Sequence, residues 1–106
     1  MKLGIIISTN DSETVWNAFR YANYGLNQKY EVSVFLMGKG VEYQKISSTS
    51  FNTIEQAENF LKSGGNLFAC GTCIKSRGES GSNLCPISTL KDLDKLVQES
   101  DKIVTF

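Results

Sequence analysis

The run Leu3-Gly-Ile-Ile-Ile-Ser8 carries apolar residues at consecutive positions with no polar alternation. A strand with one face in water alternates apolar and polar residues, whereas an unbroken run needs apolar cover on both faces. That requirement selects a sheet interior flanked by helices, and the rest of the chain supplies them. Asp11 or Ser12 caps a helix in which Val15, Phe19, Ala22 and Leu26 share one face, with Gly25 weakening its end. Glu31 to Met37 forms a second strand, broken at Gly38-Lys-Gly40. Thr53-Ile-Glu-Gln56 is a capping box opening a helix with Ile54, Ala57 and Leu61 on its buried side and Gly64 as its stop. Asn66 to Ala69 is the third strand. Ser88 or Thr89 caps a last helix bearing Leu90, Leu93, Leu96 and Val97, and Lys102 to Phe106 is a terminal strand. A further short strand is expected near Leu84. From Val41 to Asn52 the pattern dissolves around Ser47-Ser-Thr-Ser50, which is expected to be a surface loop with one helical turn at its start, placed after the second strand to cover the Cys70 thiol as a lid.

Strands separated by helices imply right-handed crossovers and a mainly parallel sheet. The expected architecture is a three-layer α/β sandwich of four to five strands, formed as a single domain over residues 1–106. A chain of 106 residues with 41% hydrophobic content and one proline supports one modest core. Eleven basic and eleven acidic residues cancel, and neither sign gathers into a run. This argues against nucleic acid and membrane surfaces as partners. The N-terminus lacks the pattern of a signal peptide and no apolar stretch reaches membrane-spanning length, so a cytoplasmic location is expected. All three cysteines fall between positions 70 and 85, and an odd count in a reducing compartment points to chemistry or metal rather than a disulfide framework.

In parallel sheets ligands bind beyond the carboxyl ends of the strands. The candidates are Ser8, Thr9 and Asn10 after the first strand, Met37 and Gly38 after the second, and Cys70 after the third. Cys70 is the reactive side chain among them. A helix starting at Gly71 would favour its thiolate, and Lys75 or Arg77 would add positive charge if turned inward. Cys73 lies one turn further along, in the Cys-Gly-Thr-Cys spacing of a redox pair. The competing reading is packing: free cysteines are often core residues, Cys85 beside Pro86 above all, while Ser8 and Asn10 suit turns and caps and Arg77 a paired surface charge. The chain has no histidine, which thiol exchange tolerates and acyl or phosphoryl transfer does not. Three rivals stay open beside sulfur transfer. One is a thioredoxin-like dithiol protein, although Pro86 is too near Cys73 to face the pair from a distant strand. Another is zinc held by Cys70, Cys73 and Cys85 with a water or a partner's ligand. The third is a subunit without turnover. No cofactor is called for.

Four segments together resemble the DsrE/DsrF-like sulfur-relay family. They are Leu3-Gly-Ile-Ile-Ile-Ser8, Phe35-Leu-Met-Gly-Lys-Gly-Val41, Cys70 spaced eight residues before Gly78 with Arg77 preceding it, and Ser100-Asp-Lys-Ile-Val-Thr-Phe106. The resemblance covers essentially the whole chain. It implies a small cytoplasmic α/β protein that forms homo- or hetero-oligomers, often trimers or hexamers, and exchanges sulfur with donor and acceptor proteins. It also implies that Cys70 is the sulfur-accepting residue, carrying a persulfide, with Arg77 near it; Cys73 is expected to act beside Cys70, and Ser8, Asn10, Met37, Gly38 and Gly71, at the strand ends, are the expected substrate-binding residues. Ser76 stands where the family's sulfurtransferase subunits have a second arginine.

Overall fold

The structure, a computed structural model, describes every residue from Met1 to Phe106. In chain order the elements are β1 (Lys2–Ile7), α1 (Ser12–Asn27), β2 (Glu31–Leu36), a tight turn helix (Gly38–Glu42), α2 (Thr53–Lys62), β3 (Asn66–Cys70), α3 (Gly71–Ser76), β4 (Ile87–Ser88), α4 (Leu90–Glu99) and β5 (Lys102–Thr105). The five strands form one sheet in the order β4-β3-β2-β1-β5, and every pairing is parallel. The chain steps outward from β1 to β4 and then returns past β1 to place β5. With right-handed crossovers, the outward steps put their helices on one face and the return step puts α4 on the other.

Two glycines show which helix covers which face. A Cβ on Gly25 of α1 would lie 3.4 Å from Leu3, whereas a Cβ on Gly4 would lie 2.7 Å from Leu96 and 2.6 Å from Ser100 beyond α4. Leu3 and Gly4 are neighbours on a strand and so point to opposite faces. On the α1 side Leu3, Ile5, Ile7, Val32, Val34, Leu36, Leu67 and Ala69 are all buried. On the α4 side Phe35 is buried, but Ile6 and Phe68 are only partly covered and Ile103 is exposed. Both faces are apolar along β1, as its unbroken run requires, and the buried residues join in one core cluster of 21.

Several sequence expectations need correction. The cap of α2 is Asn52, whose side chain accepts the Glu55 N–H at 3.0 Å, and not Thr53. Thr53 is instead the first helical residue, buried, with its hydroxyl donating to the Tyr43 carbonyl at 2.6 Å. The buried face of α2 is Thr53, Ala57 and Phe60, with Ile54 and Leu61 at its margins. The stretch after Val41 is not wholly a surface loop, because Val41 and Tyr43 are core residues. The Tyr43 ring lies 5.3 Å from that of Phe19, and its hydroxyl donates to the Leu84 carbonyl. The short fourth strand is at Ile87–Ser88 and not at Leu84, because Ser88 pairs with Cys70 while Leu84 sits in the Ser82–Cys85 turn. Thr89 caps α4 through a capping box with Asp92, yet only Leu96 of that helix is buried, and Leu90 and Val97 face outward. No helix is long and apolar enough to cross a membrane.

Candidate thiol site at the end of the third strand

β3 ends at Cys70, which stays extended and caps α3: its Sγ accepts the Cys73 N–H at 3.3 Å. The single turn that follows carries Cys73 back over its own cap, and the two Sγ atoms lie 2.7 Å apart. That is only about 0.7 Å longer than an S–S bond, and both residues are free thiols. Cys70 is buried and Cys73 is partly open. A third segment closes over the pair: the Gly38 N–H, at the start of the turn helix, donates to Cys73 Sγ at 3.2 Å. Gly38 has φ +55°, a left-handed conformation natural to glycine, and it is at this residue that the chain leaves β2 to form that contact.

At the far end of α3, Arg77 donates from Nε to Glu42 Oε2 at 2.7 Å and from a guanidinium nitrogen to the Cys73 carbonyl at 3.0 Å. The other oxygen of Glu42 accepts from Asn10 Nδ2 at 3.4 Å. Arg77 and Asn10, in that order, hold the Glu42 carboxyl below its ordinary value. Asn10, Glu42, Arg77 and Cys73 thus form one line from the end of β1 to the sulfur pair.

Cys85 occupies a different setting. It is buried, and its S–H donates to the Val41 carbonyl at 3.7 Å. Burial, followed by the Glu79 carboxylate, pushes this thiol up from its ordinary value. It lies beside a small cavity of about 60 Å³ also lined by Val41, Glu42, Ile74, Arg77 and Glu79.

The whole chain, residues 1–106, matches the profile of the DsrE/DsrF-like family. The chain belongs to that family. Two uncharacterised proteins are similar to it: MJ0989 of Methanocaldococcus jannaschii, 32% identical with all of both chains covered, and MK0008 of Methanopyrus kandleri, 32% identical over 89% of this chain and 83% of that one. Among solved structures, the YchN protein of E. coli superposes with a TM-score of 0.83 at 25% identity over all of both chains. A conserved protein of unknown function, BT1422 of Bacteroides thetaiotaomicron, superposes at 0.81 with 22% identity, covering 99% of this chain and 94% of its own. These likenesses agree with the parallel five-stranded α/β architecture.

Within this DsrE/DsrF-like frame the residues singled out by sequence separate into groups. Cys70, Cys73 and Gly38 come together directly, and Arg77 and Asn10 join them through Glu42. Met37 is partly buried and uses its N–H on the Ile7 carbonyl at 2.9 Å, extending the pairing of β2 with β1. Gly71 is a packing necessity, since a Cβ there would lie 2.9 Å from both Ile87 and the Ser88 carbonyl. Thr9 accepts the Asp11 N–H at 3.1 Å in the turn before α1. Ser8 is exposed on the β5 side, with its hydroxyl on the Phe106 carbonyl at 3.2 Å, and takes no part in the sulfur contacts. The surroundings of Cys70 work against the expected thiolate. Burial is the largest influence on it, the Cys73 sulfur adds to it, and together they push Cys70 up, with the backbone N–H groups opposing. The helix behind it has only six residues, Lys75 is exposed, and Arg77 is matched by Glu42. The three cysteines do not assemble into a group that could hold a metal ion, because Cys85 is turned to Val41. Glu42 and Tyr43 were missed in the sequence: each acts through a partner at least 35 residues away, and no local period marks such a pairing.

Proposed function

We propose that this DsrE/DsrF-like protein is a sulfur carrier that accepts sulfane sulfur on Cys70 and releases it to an acceptor thiol. The observation that carries the reading is the 2.7 Å approach of Cys70 Sγ and Cys73 Sγ beneath the Gly38 N–H. In the loading step Cys70 Sγ attacks the terminal sulfur of a donor persulfide. The Cys70 S–S bond forms, the donor S–S bond breaks, and the Cys70 proton passes to the departing donor thiolate. In delivery an acceptor thiol attacks the terminal sulfur of Cys70–S–SH in the same way and leaves with the persulfide. When no acceptor is present, Cys73 attacks Cys70 Sγ and expels hydrosulfide. The product is a Cys70–Cys73 disulfide, which a dithiol reductant reopens. Asn10, Arg77 and Gly38 frame the site, and entry of the donor is from the side on which Cys73 is partly open.

The same reading includes a reducing, cytoplasmic setting, where Cys70 and Cys73 are kept as thiols, and self-association through the α4 face into a homo-oligomer such as a trimer or hexamer. What supports association is the outward exposure of Leu90 (68%), Val97 (44%) and Ile103 (40%) along one side of the sheet. Light scattering after size-exclusion chromatography checks it, and a monomer contradicts it.

The test of the carrier function is intact mass spectrometry of reduced protein after exposure to a low-molecular-weight persulfide donor. The wild type is expected to gain one sulfur atom, Cys70→Ser none, and Cys73→Ser one that persists because no disulfide can close. Loss of two hydrogens from the wild type without any sulfur gain in Cys73→Ser would replace the carrier with a dithiol redox protein. No change in any variant would leave a subunit without turnover.

A further inference from the structure

The turn helix Gly38–Glu42 touches α3 at both of its ends. At its start the Gly38 N–H reaches Cys73 Sγ at 3.2 Å, and at its end Glu42 Oε2 takes the Arg77 guanidinium at 2.7 Å. Between these contacts Gly40 packs so closely on β1 that a Cβ there would lie 2.1 Å from the Ile7 carbonyl oxygen. The turn helix is therefore fixed to the sheet and offers α3 a rigid edge. Arg77 also donates to the Cys73 carbonyl at 3.0 Å, so the backbone and the sulfur of one residue are both tied to that edge. A six-residue helix has little rigidity of its own, and its carboxyl end is joined to the segment after β2 by two ion pairs, the half-buried Glu42–Arg77 contact and the more exposed Lys45–Glu79 pair at 2.7 Å, of which only the first also reaches the Cys73 carbonyl.

We propose that Glu42 is a positioning residue for sulfur exchange: through Arg77 it holds Cys73 in register with Cys70 and so sets how readily the Cys70–Cys73 bond closes. This rests on the carrier reading for its biological use, but not for its measurement. In the closing step a Cys73–Cys70 bond forms, the bond from Cys70 Sγ to the terminal sulfur breaks, and its electron pair leaves with hydrosulfide, which also receives the Cys73 proton. The two cysteines are oxidised and the sulfane sulfur is reduced. Holding the two sulfurs in place supplies effective concentration, and loosening the clasp removes part of it.

The experiment is equilibration of the full-length protein with glutathione and glutathione disulfide, reading the Cys70–Cys73 disulfide by mass. Glu42→Ala is expected to lower the disulfide's formation constant about tenfold, a shift of ~30 mV. Arg77→Met is expected to do the same from the other side, the double variant to do no more than either, and Glu42→Asp to recover part of the loss. Should one single variant fail to fold, the other with its wild-type comparison decides. A constant within about twofold of wild type in a folded variant overturns the proposal. So does a loss matched by an equal rise in alkylation of Cys85, because the residue then acts by general loosening. Failure of sulfur loading with a normal clasp response would sink the carrier reading alone.

Discussion

Cys73 and Cys85 both lean on the turn helix Gly38–Glu42, but on opposite ends of it. Cys73 receives an N–H from Gly38 at its start, and Cys85 gives its S–H to the carbonyl of Val41 near its finish. The first and last peptide groups of a helical turn are the ones left without internal partners, N–H at one end and C=O at the other. At the N–H end the Cys73 sulfur is the acceptor, and at the C=O end the Cys85 thiol is the donor. Three chemically identical side chains within sixteen residues are thus separated by which backbone group each one meets. The close sulfur pair is assembled at the N–H end, and Cys85 is placed at the C=O end.

The comparison breaks most completely if its shared support is removed. Gly40→Ala would drive a Cβ against the Ile7 carbonyl, a backbone atom that cannot yield as a side chain can. The expected cost is about 3 kcal/mol or more, at the upper end for overpacking, read as a fall in the urea midpoint at unchanged slope. Both sulfur contacts should loosen together, so Cys85 would become open to alkylation in the folded fraction. A stability loss under about 1 kcal/mol would mean that the turn helix shifts freely and supports neither contact.

In the unaltered protein, brief exposure to iodoacetamide at neutral pH should modify Cys73 about a hundredfold faster than Cys85, because Cys85 reacts only on local openings of about 3 kcal/mol. Peptide mapping at early time points gives both rates at once. Comparable rates at the two positions would erase the distinction between them. A smaller effect is expected from Cys85→Ala, which removes one buried sulfur and costs about 1 kcal/mol. Sulfur loading on Cys70 should be unchanged in that variant, and a loss of loading would move Cys85 from packing into the relay.

How much of this could be read in advance depends on the range of the contact involved. The β1 run, the α1 face through Val15, Phe19 and Ala22, the helix start at Gly71 and the Cys70–Cys73 spacing are all local patterns, and all were legible. The parallel sheet followed from them through the crossover rule. The turn helix was visible only as a break at Gly38 and a helical turn expected near Val41, and its contacts were not, because its partners Cys73, Arg77 and Cys85 lie 35 to 44 residues further on. Tyr43 is hidden for the same reason: its neighbours Phe19, Thr53 and Leu84 come from three separate segments. In α4 the apolar spacing was legible but not which of its residues are covered: Leu96 is buried, whereas Leu90 and Val97 are exposed.

The smallest effect concerns Cys70, where two influences oppose each other: burial and the Cys73 sulfur push the thiol up, while the backbone N–H groups pull it down. Burial wins, so the folded value lies above the ordinary 9.0, as it also does for Cys85. In both cases the unfolded chain ionises first as pH rises, so the stability these thiols contribute is fully present below that ordinary value and is lost as pH climbs from it through the folded value. The slope cannot exceed about 1.4 kcal/mol per pH unit per group. Tyr43 is shifted in the same direction from its ordinary 10.0 and adds to the loss about one unit later. Unfolding free energy by urea should therefore be flat from pH 6 to 8 and fall above about 9. Cys85→Ala should reduce the fall, and Tyr43→Phe should remove only its later part. A free energy that instead rises as pH approaches 9 from below in Cys85→Ala would show that the N–H groups around Cys70 outweigh its burial and that this thiol is held ready as a thiolate.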